Sequence, residues 1–96
     1  MAEALVSVQI IPKTKNLDDV IPFVDEAIAI IDKSGVNYQV QPLETTMEGS
    51  LSTLLDVVKE MNEKMTELGA RNVITQMKIL YQPDGITMDD LTGKYR

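Results

Sequence analysis

Ninety-six residues suffice for one domain, spanning 1–96, in which about two-thirds of the unfolded surface can be buried. Hydrophobic residues make up 44% and charged residues 25%, a composition that argues for a globular chain and against wholesale disorder. The net charge of −6, with nine scattered Lys and Arg, argues against nucleic acid and anionic membranes as partners, and the lack of cysteine and histidine excludes disulfides, thiol nucleophiles, Cys/His zinc sites and histidine bases.

The first apolar run, Ala4 to Ile11, alternates. Ala4, Val6, Val8 and Ile10 share one side of a strand, and Leu5, Ser7, Gln9 and Ile11 the other. Pro12 is expected to end it, because proline cannot donate to a ladder. The run has no basic segment before it and falls far short of the ~20 residues that span a bilayer, so a cytoplasmic protein is expected. A helix follows, ending near Lys33, with Val20, Val24, Ala27, Ile28 and Ile31 on one face. Asn16 is a candidate cap, with Asp18 and Asp19 well placed for the dipole. Pro22 fits only a first turn and moves the regular start toward Ile21. Gly35 suits the residue just past the end.

Val36 to Leu43 reads as a second strand, with Val36, Tyr38 and Val40 on one side and Asn37, Gln39 and Gln41 on the other. Thr45 to Glu48 reads as a short third strand after a tight connection. Gly49 and Ser50 break it, and Ser50 or Ser52 caps a second helix. Leu51, Leu54, Leu55, Val58, Met61, Met65 and Leu68 form that helix's apolar stripe, which Gly69 closes. Arg71 to Tyr81 alternates as the last long strand. Gln82-Pro83-Asp84-Gly85 is a turn by composition, and Thr87 with Asp90 matches a capping box for one helical turn over 88–92.

The order βαββαβ predicts an α+β, ferredoxin-like sandwich: an antiparallel sheet with two helices on one face. The other face then holds Leu5, Ser7, Gln9 and Ile11, Asn37, Gln39 and Gln41, and Ile74, Gln76, Lys78 and Leu80. These residues are mixed and almost uncharged. Glutamine both donates and accepts, so such a face suits a polar ligand or another sheet.

The stretches VSVQIIP (6–12), VQPLETTMEGS (40–50) and LLDVVKEMNEKMTELGARNVITQMKI (54–79) resemble the thiamine-binding protein family, TTMEGS and GARNVITQMKI most specifically. The resemblance covers nearly the whole chain and rests on the combination, since no single motif is catalytic. It implies a homo-oligomer, commonly a dimer of dimers with sheets facing each other. It also implies a thiamine-type ligand, or the hydroxymethylpyrimidine part of thiamine, and no enzymatic activity. One departure stands out: where members often carry acidic and arginine residues after the last lysine-bearing strand, this chain reads Ile79-Leu80-Tyr81-Gln82-Pro83-Asp84-Gly85.

An aminopyrimidine is flat and asks for a carboxylate or amide at its amidine-like edge, hydroxyl groups, and an apolar surface for its ring. Those types converge at Thr45-Thr46-Met47-Glu48-Gly49-Ser50. Glu48 is the candidate acceptor for the amine. Thr45, Thr46 and Ser50 would orient the ring, and Gly49 would allow close backbone approach. Ser50 also stands where a helix N-terminus attracts anions. The plainer reading of the same residues is two strand-forming threonines, a breaker and a cap. Gln9 and Lys78 join the list from the uncovered face, with a Glu48–Lys78 salt bridge as the plain alternative. Tyr38 joins it too, although alternation puts it on the helix side, where core packing is the plainer role.

An enzyme is not expected. Asp18-Asp19, Asp25-Glu26 and Asp89-Asp90 are chain neighbours that point apart in a helix, so they make poor acid–base pairs and poor metal sites. No cofactor is expected, and no spacing marks a carboxylate-only magnesium site. Against the binding protein stands one alternative, a structural or regulatory oligomer whose partner is another protein.

Overall fold

The computed structural model describes residues 2–14 and 20–95. The elements come in the expected order: β1 (Ala4–Lys13), α1 (Ile21–Ser34), β2 (Asn37–Val40), β3 (Thr45–Gly49), α2 (Leu51–Glu67), β4 (Asn72–Tyr81) and α3 (Met88–Thr92), then a 3-10 turn over Gly93–Tyr95. The four strands form one antiparallel sheet in the order β2-β3-β1-β4. This is the ferredoxin-like α+β arrangement, with α1 and α2 on one sheet face.

Alternation in β1 sorts the two faces. Ala4, Val6 and Val8 are buried with Met47 of β3, Ala27 and Ile31 of α1, and Leu54, Val57, Val58, Met61 and Met65 of α2. The methionines at 61 and 65 are core filler, as their helical spacing implies. A polar tie joins sheet and helix here: Thr75 of β4 donates to Asn62 Oδ1 of α2 at 2.8 Å, and Asn62 Nδ2 in turn donates to the Val58 carbonyl at 2.9 Å.

Two strand ends differ from the sequence expectation, each for a physical reason. Strand β1 runs on through Pro12, which pairs in register with Val73. Its pairing with β3 stops at Val8, opposite Thr45, so Pro12 lies where β1 is an edge on that side, and an edge tolerates a missing N–H. Strand β2 ends at Val40, because Gln41-Pro42-Leu43-Glu44 is already the turn into β3, with Gln41 N donating to the Glu44 carbonyl at 2.9 Å. Helix α1 starts at Ile21, where Pro22 in a first turn places it, and Val20 holds the N-cap position without a cap bond from its own side chain. Asn16, Asp18 and Asp19 lie outside the described residues. At the other end of α1, Gly35 has φ 81°, a left-handed conformation that costs an L side chain roughly 1 kcal/mol or more.

Leu54 sits at the centre of the core with no exposed surface, under the Gly49 backbone. Leu54→Ala is expected to lower the unfolding free energy by about 2–5 kcal/mol in a denaturant titration, through lost transfer energy and an unfilled cavity. Leu43→Ala, at a side chain that is 78% exposed, is expected to stay within about 0.5 kcal/mol of the parent.

Candidate functional site

The register lays the open sheet face out in rows. Asn37, Glu48, Leu5 and Leu80 form the first row; Gln39, Thr46, Ser7 and Lys78 form the second. Gln9 and Gln76 continue into a third, and Ile11 and Ile74 into a fourth. Amides and hydroxyls therefore fill the middle rows, Ile11 and Ile74 make the last row apolar, and in the first row Leu5 and Leu80 stand beside Asn37 and Glu48.

The segment after β4 folds back over the first row. Gly85, at φ 115°, closes the turn by donating its N–H to the Gln82 carbonyl at 2.9 Å. Gln82 N bonds the Glu3 carbonyl at 2.8 Å, and Ile86 N bonds the Ala2 carbonyl at 2.9 Å, so the segment is zipped to the start of the chain. Ile86 and Met88 then bury Leu5. The Met88 N–H donates to Glu48 Oε1 at 2.9 Å. Helix α3 carries the full capping box, Thr87 with Asp90, that the sequence predicts. Its side chains Met88, Leu91 and Thr92 form one wall of a concavity of about 430 Å³ whose floor includes Ser7, Gln39 and Thr46. A second concavity of about 690 Å³ continues along the face past Gln9 and Gln76. Ser7, Glu44 and Lys78 line both. Volumes of this size suit a small ligand.

Of the eight residues singled out in the sequence, four meet on this face: Gln9, Thr46, Glu48 and Lys78. Thr46 Oγ1 is tied to Gln41 Oε1 at 3.2 Å. The Glu48–Lys78 salt bridge does not form: β1 lies between their strands, which sets the two backbones about 10 Å apart, and Glu48 is turned to Met88 instead.

The other four stand elsewhere. Thr45 is opposite Val8 and buried on the helix side, as alternation from Thr46 requires. Tyr38 is also on that side, opposite Met47, and its hydroxyl donates to Asp32 Oδ1 of α1 at 2.9 Å. That bond to a carboxylate, aided by partial burial and the charge itself, holds the Tyr38 phenol above its ordinary pKa. Gly49 ends β3 with its backbone against Leu54, where an added Cβ would lie 3.4 Å from Leu54 Cδ2. Ser50 caps α2, accepting from Thr53 N at 3.2 Å. At the same helix N-terminus Glu3 Oε1 accepts from Leu51 N at 3.1 Å, so a carboxylate of the chain itself stands there.

Sequence reasoning missed Glu44, Met88 and Leu91. Glu44 lies two residues before Thr46, so the same alternation puts it on the open face, and its carboxylate accepts a hydrogen bond from Ser7. Met88 and Leu91 are an apolar pair three residues apart on a one-turn helix, a pattern that fits a side packed on something. The groove between α1 and α2, lined by Glu26, Lys33, Glu60, Glu63, Lys64 and Glu67, is a solvated charged surface with the Lys64–Glu67 pair at 3.5 Å. Among the described residues no group of three acidic side chains comes close enough to hold a metal, and no helix is long and apolar enough to cross a membrane.

Residues 6–96 match a family model described as thiamine-binding protein. The chain belongs to that family. A UPF0045 protein of Clostridium perfringens is 44% identical over 91 residues, which are 95% of this chain and 95% of its own length. A solved DUF77 domain from Bacillus cereus is 44% identical with a TM-score of 0.91, over 97% of this chain and 89% of that one. A solved Thermotoga maritima protein, provisionally assigned to thiamine biosynthesis or salvage, is 31% identical with a TM-score of 0.87, over 97% of this chain and 98% of its own. The sandwich of this thiamine-binding family member is thus shared along nearly its full length with proteins of the same sequence class.

Glu48 is the pin that holds α3 on the sheet. Glu48→Ala is expected to speed amide hydrogen exchange at Met88 by about tenfold or more and to cost about 1–3 kcal/mol, since a half-buried N–H loses a charged acceptor. Unchanged exchange at Met88 would show that packing of Ile86 and Met88 on Leu5 suffices by itself.

Proposed function

We propose that this chain is a non-enzymatic binding protein for thiamine or its hydroxymethylpyrimidine moiety, and that it serves in the cytoplasm as a carrier, buffer or sensor. The observation that carries the reading is the concavity between α3 and the open sheet face. It offers an apolar wall from Met88 and Leu91 to a flat ring, with Ser7, Thr46, Gln39 and Glu44 beneath as donors and acceptors. Family membership and the Thermotoga maritima relative support the choice of ligand class. The acidic character of the chain also suits thiamine, whose thiazolium ring is a fixed cation. A binding role fits a site built from amides, hydroxyls and two already engaged carboxylates, with no histidine or cysteine to move a proton or attack a carbonyl.

Thermal unfolding with thiamine, hydroxymethylpyrimidine and their phosphates tests the reading. Ligand at about 100 times its dissociation constant stabilises by about 2.7 kcal/mol per site, which moves the midpoint of a chain this size by about 10–20 °C. A saturable shift is expected with a pyrimidine. No shift with any of the four moves the assignment to a different ligand or to a protein partner.

The second reading, a structural or regulatory oligomer, has β4 in its favour. This ten-residue edge strand has one charged residue, Lys78, and leaves Ile74, Met77, Ile79, Leu80 and Tyr81 between 40% and 52% exposed. Edges this long and apolar are ordinarily blunted or paired. Pairing of β4 with a second copy, as one contact of a homo-oligomer such as a dimer of dimers, accounts for it. Light scattering at micromolar concentration is expected to give a multiple of the 10.7 kDa chain mass, and Ile79→Lys to lower it. A wild-type mass of one chain would remove the oligomer from both readings.

A further inference from the structure

Three carboxylate-bearing or cationic side chains face the open sheet surface, and their engagements differ. Glu48 spends Oε1 on the Met88 N–H and stands under α3. Lys78 forms an ion pair with neither Glu44 nor Glu48 among the described residues. Glu44 is half-buried, lines both concavities of the face, and accepts from the Ser7 hydroxyl through Oε2. Among the described residues its Oε1 accepts no hydrogen bond.

The position of Glu44 is fixed by the chain around it. It is the last residue of the Gln41–Glu44 turn, and its carbonyl receives the Gln41 N–H at 2.9 Å. Pro42 presets the backbone at the second position of that turn. Continuing the β1–β3 register sets Glu44 opposite Gln9 and diagonal to Ser7, on the face that carries Thr46. The Ser7 bond then holds the carboxylate in one orientation, so a ligand meets a preset acceptor and loses little side-chain entropy in using it.

We propose that Glu44 is the residue that reads the amine-bearing edge of the ligand's pyrimidine ring, its free Oε1 accepting from the exocyclic amine while Met88 and Leu91 cover the ring. Glu48, the carboxylate that the sequence favours for this task, positions the covering wall instead. The proposal rests on the thiamine-class reading above and deepens it, naming the group that would give the site its chemical selectivity. An acceptor fixed on a donor discriminates sharply, because a ligand that presents an acceptor there leaves two lone pairs facing each other.

The test is calorimetric titration of the full chain with thiamine and with oxythiamine, in which a carbonyl oxygen replaces the ring amine. The wild type is expected to prefer thiamine by about tenfold or more. Glu44→Gln offers an amide that donates as well as accepts, and it is expected to bring the two affinities within about threefold, chiefly by weakening thiamine. Glu48→Gln, which alters the hold on the covering wall, is expected to weaken both compounds alike and so to keep their ratio at the wild-type value. Should Glu44→Gln fail to fold, Ser7→Ala frees the carboxylate without removing it and is expected to give a smaller loss of the same preference. A wild type that binds both compounds equally, or a Glu44→Gln chain that keeps the wild-type preference, overturns the role of Glu44 and leaves the functional reading standing. A wild type that binds neither compound, nor hydroxymethylpyrimidine in the same titration, overturns the functional reading, and the inference falls with it.

Discussion

The whole arrangement hangs on β1, which is paired on both sides. Ala4 to Val8 are hydrogen-bonded into β3 and β4 at once, so the alternation of one strand decides which residue of three strands faces the helices and which faces outward. A slip of one residue would turn Ala4, Val6 and Val8 out and bring Leu5, Ser7 and Gln9 under α2. Two observations oppose such a slip. Val6 is fully buried against Met47 and Leu54, and Ser7 is bonded to Glu44 on the other side. The apolar face fixes the register by burial, and the polar face fixes it by hydrogen bonding.

From that register the placement of the segment after β4 follows. Ala4 pairs with Tyr81, so β4 ends beside the start of β1 and the chain must turn there. The backbone carbonyls of Ala2 and Glu3 are then in reach, and they accept from Ile86 and Gln82. This lays Ile86 and Met88 on Leu5, the apolar member of an otherwise polar stretch of the open face. Leu5 is thus buried although it points away from the helices. Glu3 serves a second end as well, its carboxylate capping α2. The first few residues of the described chain tie down both the segment over the open face and the helix beneath the sheet.

The elements legible in the sequence are those whose signal is local. The helices α1 and α2, the strands β1 and β4, the turn at Gln82–Gly85 and the Thr87–Asp90 box all depend on residues a few positions apart, and all are present, although Val20, Leu55 and Leu68 of the expected stripes are exposed and Val57 is buried in their place. Boundaries set by a neighbour were not legible. Pro12 continues β1 because β3 has already ended, which no reading of Ile11-Pro12-Lys13 can reveal. The site was half legible for the same reason. Alternation put Gln9 and Lys78 on the right face, and would have put Thr45 and Thr46 on opposite faces had it been applied inside TTMEGS instead of treating the segment as one unit. Glu44 was hidden because its role depends on Ser7, 37 positions away. The apolar wall was hidden because α3 meets Leu5 only after two reversals of the chain.

Glutamine and serine on the open face, where lysine and glutamate are commoner, have a consequence for what the face can do. A charged face binds by long-range field and is screened by salt, whereas amides and hydroxyls bind by short-range geometry and are barely screened. Gln9, Gln39 and Gln76 can each turn either end of the amide to a ligand, so the middle of the face adapts in donor and acceptor pattern while its backbone stays fixed in the sheet. Against that adaptable ground the fixed elements are few: the carboxylate of Glu44 held by Ser7, and the wall of α3 held by Glu48. On the proposed reading, selectivity for the ring edge therefore concentrates in Glu44, the wall covers the ring whatever its edge carries, and the glutamines supply affinity that many small polar molecules could share. The fold adds a physical link between the two fixed elements. Thr46 and Glu48 alternate along β3 and Glu44 directly precedes it, so the group that would read the ligand and the group that holds its cover both follow from where β3 is set on β1. Any rearrangement of β3 against β1 would move both together.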